Sequence, residues 1–195
     1  MNTPSHWLLN IALLGPKAAP GTLWAITLGA IAPDLPIFIF YAVSKAIYRL
    51  PEAQIWREAY YEPGWQFVVA IGHSMPLAGL GLLLSLWFRW DIGIIFCISL
   101  ICHSLLDLPV HHDDAHRHFF PLSDFRFESP FSYWDVSRYA RWVAGFEILS
   151  VLAVTPWVLQ MYQTWLIRGF ILIIDVVYVG AYIAFYLSPL LRRWG

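Results

Sequence analysis

The residues best suited to chemistry in this chain are its seven histidines, because five of them lie with three aspartates within residues 103–118. His73 and His103 both stand in apolar stretches that are long enough to enter a lipid bilayer. An ionisable residue inside a membrane span is energetically costly and is by default a functional hypothesis. Imidazole and carboxylate ligands together suit zinc, manganese or iron. The pattern therefore predicts a membrane-embedded metal site.

The composition indicates a polytopic membrane protein. Of the 195 residues, 59% are hydrophobic and 13% are charged, whereas a soluble domain carries roughly 25% charged residues. The 11 tryptophans fit aromatic belts at the membrane interfaces. The net charge of -1 gives no basic surface, so we expect the lipid bilayer as a partner and no nucleic acid. The predicted fold is all-α, a single membrane domain over 1–195 with about four long transmembrane helices.

Apolar runs and prolines divide this domain into parts. Two runs within residues 5–36 are each too short to cross a bilayer, which takes roughly 20 residues, and we interpret them as a short helical hairpin. Prolines on both sides of Asp34 favour the hairpin over one kinked span across 22–43. The remaining parts are an interfacial helix and loop (37–65), two spans (66–110), a site-covering loop (111–140) and two further spans (141–191).

Lysine and arginine counts predict the orientation. With the hairpin, nine of these residues lie on the face that carries the loop 111–140, and three lie on the opposite face. The more basic face is cytoplasmic under the positive-inside rule. We therefore expect a multi-pass protein of a bacterial inner membrane, with its metal site toward the cytoplasm.

The same topology brings five residues from separate segments to one depth. His6 begins the first arm of the hairpin and Asp34 follows the second, so both emerge on the cytoplasmic side. His73 lies seven residues inside one span and His103 seven residues before the end of the next, and seven helical residues rise about 10 Å. Asp107 is one turn from His103 on the same helix face. These five residues are the predicted metal ligands.

The polar loop after the second span supplies a further group of candidates, although an exposed polar loop would also account for any one of them. The assigned roles are second-metal ligands for His111, His112 and His116, general base for Asp113 or Asp114, and phosphate binding for Arg117.

Two acidic residues lie inside the last two apolar runs. Glu147 could complete a metal shell or orient a ligand histidine. Asp175 is a buried acid for which the sequence gives no role.

Several motifs resemble the bacterial inner-membrane metal-dependent hydrolase family, whose members are small polytopic proteins. The resemblance covers roughly residues 5–125 and implies a metal-dependent hydrolytic activity. The matching motifs are His6, the Gly-x-x-x-Pro-Asp block Gly29–Asp34, Gly72-His73-Ser74, the His-x-x-x-Asp motif His103–Asp107, and the aromatic-Pro-aliphatic-Ser segment Phe119–Ser123.

More distantly, the order of these ligands is similar to that in the zinc-dependent phospholipase C and single-strand nuclease superfamily, which consists of all-helical enzymes with a zinc cluster. The chain lacks the second His-x-x-x-Glu motif of that superfamily, and it lacks the amino-terminal tryptophan whose amine binds metal there. The resemblance therefore implies one or two metal ions rather than three.

The leading hypothesis is a metal-dependent hydrolase of phosphoester bonds in a phospholipid or lipid-linked substrate. One or two divalent ions, zinc ahead of manganese or iron, would lower the pKa of a water molecule toward 7. A site about 10 Å below the interface reaches headgroup phosphates. The alternatives are a non-enzymatic metal-binding protein (a sensor, carrier or assembly factor) and a haem protein with two axial histidines. The haem alternative leaves Asp34 and Asp107 unexplained, and the outer halves of the spans are nearly bare of the polar residues a carrier needs.

Overall fold

The computed structural model describes residues 1–188, and all regular secondary structure in that part of the chain is helical. The prediction of an all-α fold is therefore confirmed. Its helices are α1 (Thr3–Leu14), α2 (Leu23–Ile31), α3 (Leu35–Ala42), α4 (Glu52–Arg57), α5 (Pro63–Gly72), α6 (Met75–Trp87), α7 (Asp91–Asp107), α8 (Ala140–Met161) and α9 (Trp165–Tyr182). Single π-helical turns extend α3 over Val43–Ile47 and α9 over Ile183–Leu187.

Two helical segments, Ala140–Met161 and Trp165–Leu187, are long and apolar enough to cross a membrane. Two bent helix pairs, α2 with α3 and α5 with α6, raise the number to four if each pair is one span. Helix α7 has 17 residues and a length of about 26 Å, slightly less than the roughly 30 Å hydrocarbon core. The described residues thus contain two to four candidate spans rather than a definite four. Arg192 and Arg193, which contributed to the orientation count, lie outside the described residues.

The first bent pair turns by 53° between α2 and α3. Pro33 lies in the break, and Pro36 occupies the first turn of α3, where its missing N–H costs no helical hydrogen bond. Helix α2 packs against α1, as the predicted hairpin requires, but α2 and α3 together also satisfy the criteria for one bent span. Both alternatives for this region therefore stand. In either case Asp34 lies at the break.

The second bent pair interrupts the apolar run that we expected to form one continuous helix. The chain bends by 41° at His73 and Ser74, and the Ser74 hydroxyl accepts a hydrogen bond from Leu77 N at 3.1 Å to cap α6. The two breaks touch, because a Cβ on Gly72 would lie only 3.0 Å from the carbonyl oxygen of Pro33. Glycine at this position therefore lets the two broken helices meet where Asp34 and His73 stand.

Helix α7 is the central element of the bundle and packs against α2 and α6. Ser99 donates to the carbonyl of Ile26 at 2.7 Å, and Asn10 of α1 donates to the Ser99 carbonyl at 2.9 Å. Such buried polar contacts fix the rotation of one helix against another, because a slipped helix would leave the polar groups unpaired. Helix α1 also contacts α8, which in turn packs on α9. The fully buried side chains of this core include Leu8, Ile11, Ile26, Val151, Val158 and Ile171.

The segment between α7 and α8 has irregular backbone apart from one 3-10 turn at Val136–Arg138. It folds back over the break between α5 and α6, where Met75 N donates to the carbonyl of His118 at 2.9 Å. Tyr133 N donates to the carbonyl of Val110 at 3.0 Å, which ties the far end of the loop to the end of α7. These contacts bury His116 and His118.

Candidate metal centre

Four side chains converge where the two broken helices meet α7. Nε2 of His73 lies 3.5 Å from Asp34 Oδ1 and 3.7 Å from Asp107 Oδ2. Nε2 of His103 lies 3.6 Å from Asp34 Oδ1 and 3.1 Å from Asp107 Oδ2. All four side chains are buried, and their ligand atoms lie within 4.8 Å of one another. We call these four residues the primary group.

The spacing of the primary group agrees with a tetrahedral metal site. Zinc bonds of about 2.0–2.1 Å at tetrahedral angles separate neighbouring ligand atoms by roughly 3.3–3.4 Å. The four nitrogen-to-oxygen distances, from 3.1 to 3.7 Å, lie on both sides of that value. Two imidazoles and two carboxylates are also a donor set that zinc, manganese and iron accept.

Both histidines of the primary group are oriented by backbone carbonyl groups. Nδ1 of His73 lies 2.9 Å from the carbonyl oxygen of Val69, and Nδ1 of His103 lies 2.7 Å from that of Ala30. A carbonyl oxygen can only accept, so Nδ1 carries a proton in each ring, and the neutral form of the ring has its lone pair on Nε2. Each Nε2 is buried without a hydrogen-bond partner. Metal-binding histidines are typically held by their other ring nitrogen in this way.

Asp107 connects the primary group to a second set of donors. While Oδ2 faces His73 and His103, Oδ1 lies 2.9 Å from His6 Nε2 and 3.1 Å from His111 Nε2. The amino group of Met1 lies 2.7 Å from the same oxygen. The carboxylate is almost fully buried, with 1% of its surface exposed. Its two oxygens therefore face two different sets of nitrogen atoms.

The second set, here called the secondary group, consists of Asp107, His111 and His116, whose ligand atoms also lie within 4.8 Å of one another. Nδ1 of His111 is 2.9 Å from Asp114 Oδ2, an arrangement that orients its Nε2 toward Asp107. Burial, together with the neighbouring rings of His73 and His111, lowers the pKa of His116 well below its usual value. His116 is therefore neutral at pH 7, the form that binds metal.

The structure brings all five residues of the predicted ligand set together. His6, which belongs to neither metal group, stacks on the ring of His103 with 3.7 Å between ring centroids. Its Nδ1 is buried without a hydrogen-bond partner. His6 therefore lies beside the centre as a neighbour of Asp107 and His103.

The predicted loop residues have different positions. His112 turns away from the centre and its Nδ1 lies 2.7 Å from the carbonyl oxygen of Ser129. Arg117 donates to Asp124 at 2.8 Å and to the carbonyl of Gln66 at 2.9 Å, so it fastens the loop to α5 and does not line the cavity beside the centre. The catalytic roles assigned to the loop acids and to Arg117 stay predictions.

Three contacts of the centre had no counterpart in the predicted site. Thr3 donates to Asp34 Oδ2 at 2.5 Å and Ser104 donates to the carbonyl of His73 at 2.9 Å. His118, to which the sequence assigned no role, has its Nδ1 3.3 Å from the same carbonyl, and burial together with His73 lowers its pKa to about 4. His118 could have been predicted from its place in the dense histidine stretch. Hydroxyl residues such as Thr3 and Ser104 have no comparable feature in the sequence that would predict a position at the site.

A cavity of about 860 Å³ opens beside both metal groups. Asp34, His111 and His116 are among its polar lining residues, and Asp113 is exposed on its wall. Tyr133 also lines it, with a ring centroid 4.9 Å from that of His111. Burial raises the pKa of Tyr133 well above its usual value, so its hydroxyl stays protonated. A small molecule in this cavity can therefore reach members of both metal groups.

The two acids of the last apolar runs bind other helices, and neither belongs to a metal group. Glu147 Oε1 accepts hydrogen bonds from Asn2 N at 2.9 Å and from Ser5 Oγ at 2.6 Å, which ties α8 to α1. Asp175 accepts a hydrogen bond from Thr155 at 3.0 Å, which ties α9 to α8.

No protein-family model, curated protein or solved structure matches this chain. The resemblance to the membrane hydrolase family stays a prediction. The geometry of the centre and of its cavity is therefore the basis for a functional proposal.

Proposed function

We propose that the protein is a membrane-embedded metal-dependent hydrolase that cleaves phosphoester bonds in a lipid or lipid-linked substrate, at the cytoplasmic face of the inner membrane. The observation that carries the proposal is the pair of buried, unpartnered Nε2 atoms of His73 and His103, which face the carboxylates of Asp34 and Asp107.

Hydrogen bonds with Met1, His6 and His111 account for Oδ1 of Asp107, but a purely structural role leaves the geometry of the primary group unexplained. Three of the four distances between imidazole nitrogens and carboxylate oxygens are 3.5–3.7 Å, too long for hydrogen bonds. Two carboxylates buried within 4.8 Å of each other also repel, and burial makes this repulsion expensive. A divalent cation among the four ligand atoms removes both difficulties, because it occupies the lone pairs and offsets the negative charges.

The surrounding residues suit hydrolysis. The primary group would hold one ion and the secondary group a second, with Asp107 shared between them. A divalent ion bound there supplies an acidified water molecule and charge compensation for phosphoryl oxygens. Asp113 on the cavity wall is the candidate that accepts the proton of the attacking water, and Asp114 keeps His111 in its orientation. Ile37 and Phe38, the apolar side chains of α3 that line the cavity, favour a substrate that belongs to the membrane.

One observation favours a non-enzymatic metal-binding protein as the second candidate. The primary group offers four protein ligands, the number that closes a structural zinc site, whereas catalytic zinc keeps one position open. The cavity argues in the other direction, because it reaches Asp34, His111 and His116. We therefore rank the hydrolase first.

The proposal is tested with the detergent-purified protein and mixed phospholipids. The measured quantity is the phosphate or phosphorylated headgroup that is released. We expect release that a chelator abolishes and that His103→Ala lowers at least a hundredfold. His112→Ala is the matched control, since His112 turns away from the centre, and it should retain activity within about twofold. A protein that binds metal but releases nothing from any lipid would favour the second candidate.

A further inference from the structure

The cavity beside the metal centre has apolar as well as polar lining residues. Ile37 and Phe38 of α3 form an apolar wall together with Tyr60. Its volume of about 860 Å³ lies within the 300–1,000 Å³ usual for small-molecule sites. The cavity has side chains of the metal groups and apolar side chains in its lining, so it suits an amphiphilic molecule.

The apolar wall continues onto the outer surface of α3. Phe38 lines the cavity, yet 52% of its surface is exposed. Leu35 and Ile39, which share its helix face, are similarly exposed. In the alternative in which α2 and α3 form one bent span, this outer surface is apolar where lipid chains would contact it. Phe38 therefore stands between the bilayer side of α3 and the interior of the cavity.

The lining of the cavity also includes charged residues that are accessible to solvent. Arg57 and Asp113 both line it, and both are exposed. An amphiphile anchored in the bilayer could place its hydrophobic part against Phe38 and its polar part near the charged residues.

We propose that Phe38 marks a lateral entrance from the bilayer and that the cavity binds an acyl chain of a membrane lipid, with the lipid headgroup at the metal centre. The chain enters between α3 and the loop 111–140 and lies against Ile37 and Tyr60. The inference rests on the proposed function only for the reaction at the headgroup, and it narrows the substrate to a lipid that remains in the membrane while it is bound.

Photolabelling of the full-length protein in lipid nanodiscs tests the binding site without any need for activity. The probe is a phospholipid with a diazirine midway along one acyl chain, and labelled residues are mapped by mass spectrometry. We expect a label on Tyr60, because only 7% of its surface is exposed and a lipid chain outside the protein cannot reach it. Labels confined to outward-facing residues of the helices would overturn the proposal.

A matched pair of variants tests the entrance. Phe38→Asn should lower labelling of Tyr60 at least fivefold, because the polar amide interrupts the apolar path. Leu83→Asn is the control, since Leu83 on α6 is 65% exposed and does not line the cavity, and its labelling of Tyr60 should equal that of the wild type. Equal labelling of Tyr60 in the two variants would overturn the lateral entrance.

Kinetics separate this inference from the proposed function. The readout is the ratio of hydrolysis rates for a long-chain phospholipid in the bilayer and a short-chain, water-soluble phospholipid with the same headgroup. Phe38→Asn should lower this ratio at least tenfold relative to the wild type and to Leu83→Asn, and an unchanged ratio would contradict the lateral entrance. If the wild type hydrolyses neither substrate, the proposed function fails, and the labelling of Tyr60 still decides whether the cavity binds lipid.

Discussion

Nε2 of His103 lies 3.1 Å from Oδ2 of Asp107, one turn further along α7, and Nδ1 of the same ring is fixed at 2.7 Å from the carbonyl oxygen of Ala30. Helix α7 thus supplies two potential metal ligands one turn apart, and the Ala30 carbonyl of α2 orients the histidine ring. The centre is built on helix ends and helix breaks that are packed together. It is therefore preorganised for an ion.

Asp107→Asn should remove more metal than the loss of any other single donor. The side chain keeps its size but loses the charge and one acceptor oxygen, and Asp107 belongs to both metal groups. We expect metal affinity to fall at least a hundredfold, with fewer than half as many ions bound per chain as in the wild type. Equilibrium competition with a chromophoric chelator measures this. Asp113→Asn is the control, and equal affinities of the two variants would contradict the central position of Asp107.

Thr3→Val should weaken metal binding without removing a ligand. The Thr3 hydroxyl donates to Asp34 Oδ2 at 2.5 Å, and such outer contacts typically contribute 10–100-fold in metal affinity. We expect a loss of about tenfold in the same competition assay. Thr22→Val serves as the control, since Thr22 bonds to the carbonyl of Ala19 away from the centre. If both variants bind metal as the wild type does, Thr3 does not orient Asp34.

Glu147→Ala should destabilise the bundle and leave metal stoichiometry unchanged. The substitution leaves the N–H of Asn2 without its acceptor in a partly buried site, at a cost of about 1–3 kcal/mol for an unsatisfied group, and leaves the Ser5 hydroxyl with Tyr178 as its partner. A lower Tm in detergent, with the same number of ions per chain, is the expected result. Loss of metal at a temperature where the variant is still folded would instead make Glu147 a member of the centre.

A single cysteine at position 124 tests the predicted orientation. Asp124 has an 82% exposed side chain and lies in the loop 111–140, so Asp124→Cys is accessible to a membrane-impermeant maleimide. The native Cys97 and Cys102 are first replaced by serine. We expect labelling in inverted membrane vesicles and none in intact cells. Labelling of intact cells would place the loop on the periplasmic side and contradict the positive-inside argument.

Local spacing in the sequence predicted the convergence of the central residues well. His103 and Asp107 follow from one helical turn, and Asp34 follows from the break that its flanking prolines impose. The break at His73 had signals in Ser74 and Pro76, but the apolar run around them favoured a continuous helix. The predicted position of His73 was therefore within a helix, whereas it lies at the break between two helices.

Positions in the loop could not be predicted in the same way, because its path depends on contacts between residues far apart in the chain. The hydrogen bond from Met75 N to the carbonyl of His118 holds the loop where His116 and His118 are buried. The contact between His112 Nδ1 and the carbonyl oxygen of Ser129 holds His112 away from the centre. Neither contact leaves a periodic pattern in the sequence. The same holds for Arg117, whose bond to the carbonyl of Gln66 crosses 51 positions in the chain.

The most direct test of the account is elemental analysis of the detergent-purified protein, wild type beside His103→Ala and Asp107→Ala. We predict at least one zinc, manganese or iron ion per wild-type chain and fewer ions in both variants, with the larger loss in Asp107→Ala and with all three proteins folded. A folded wild-type protein that binds none of these metals, even after equilibration with each one in excess, would contradict the claim that this cluster is a metal centre.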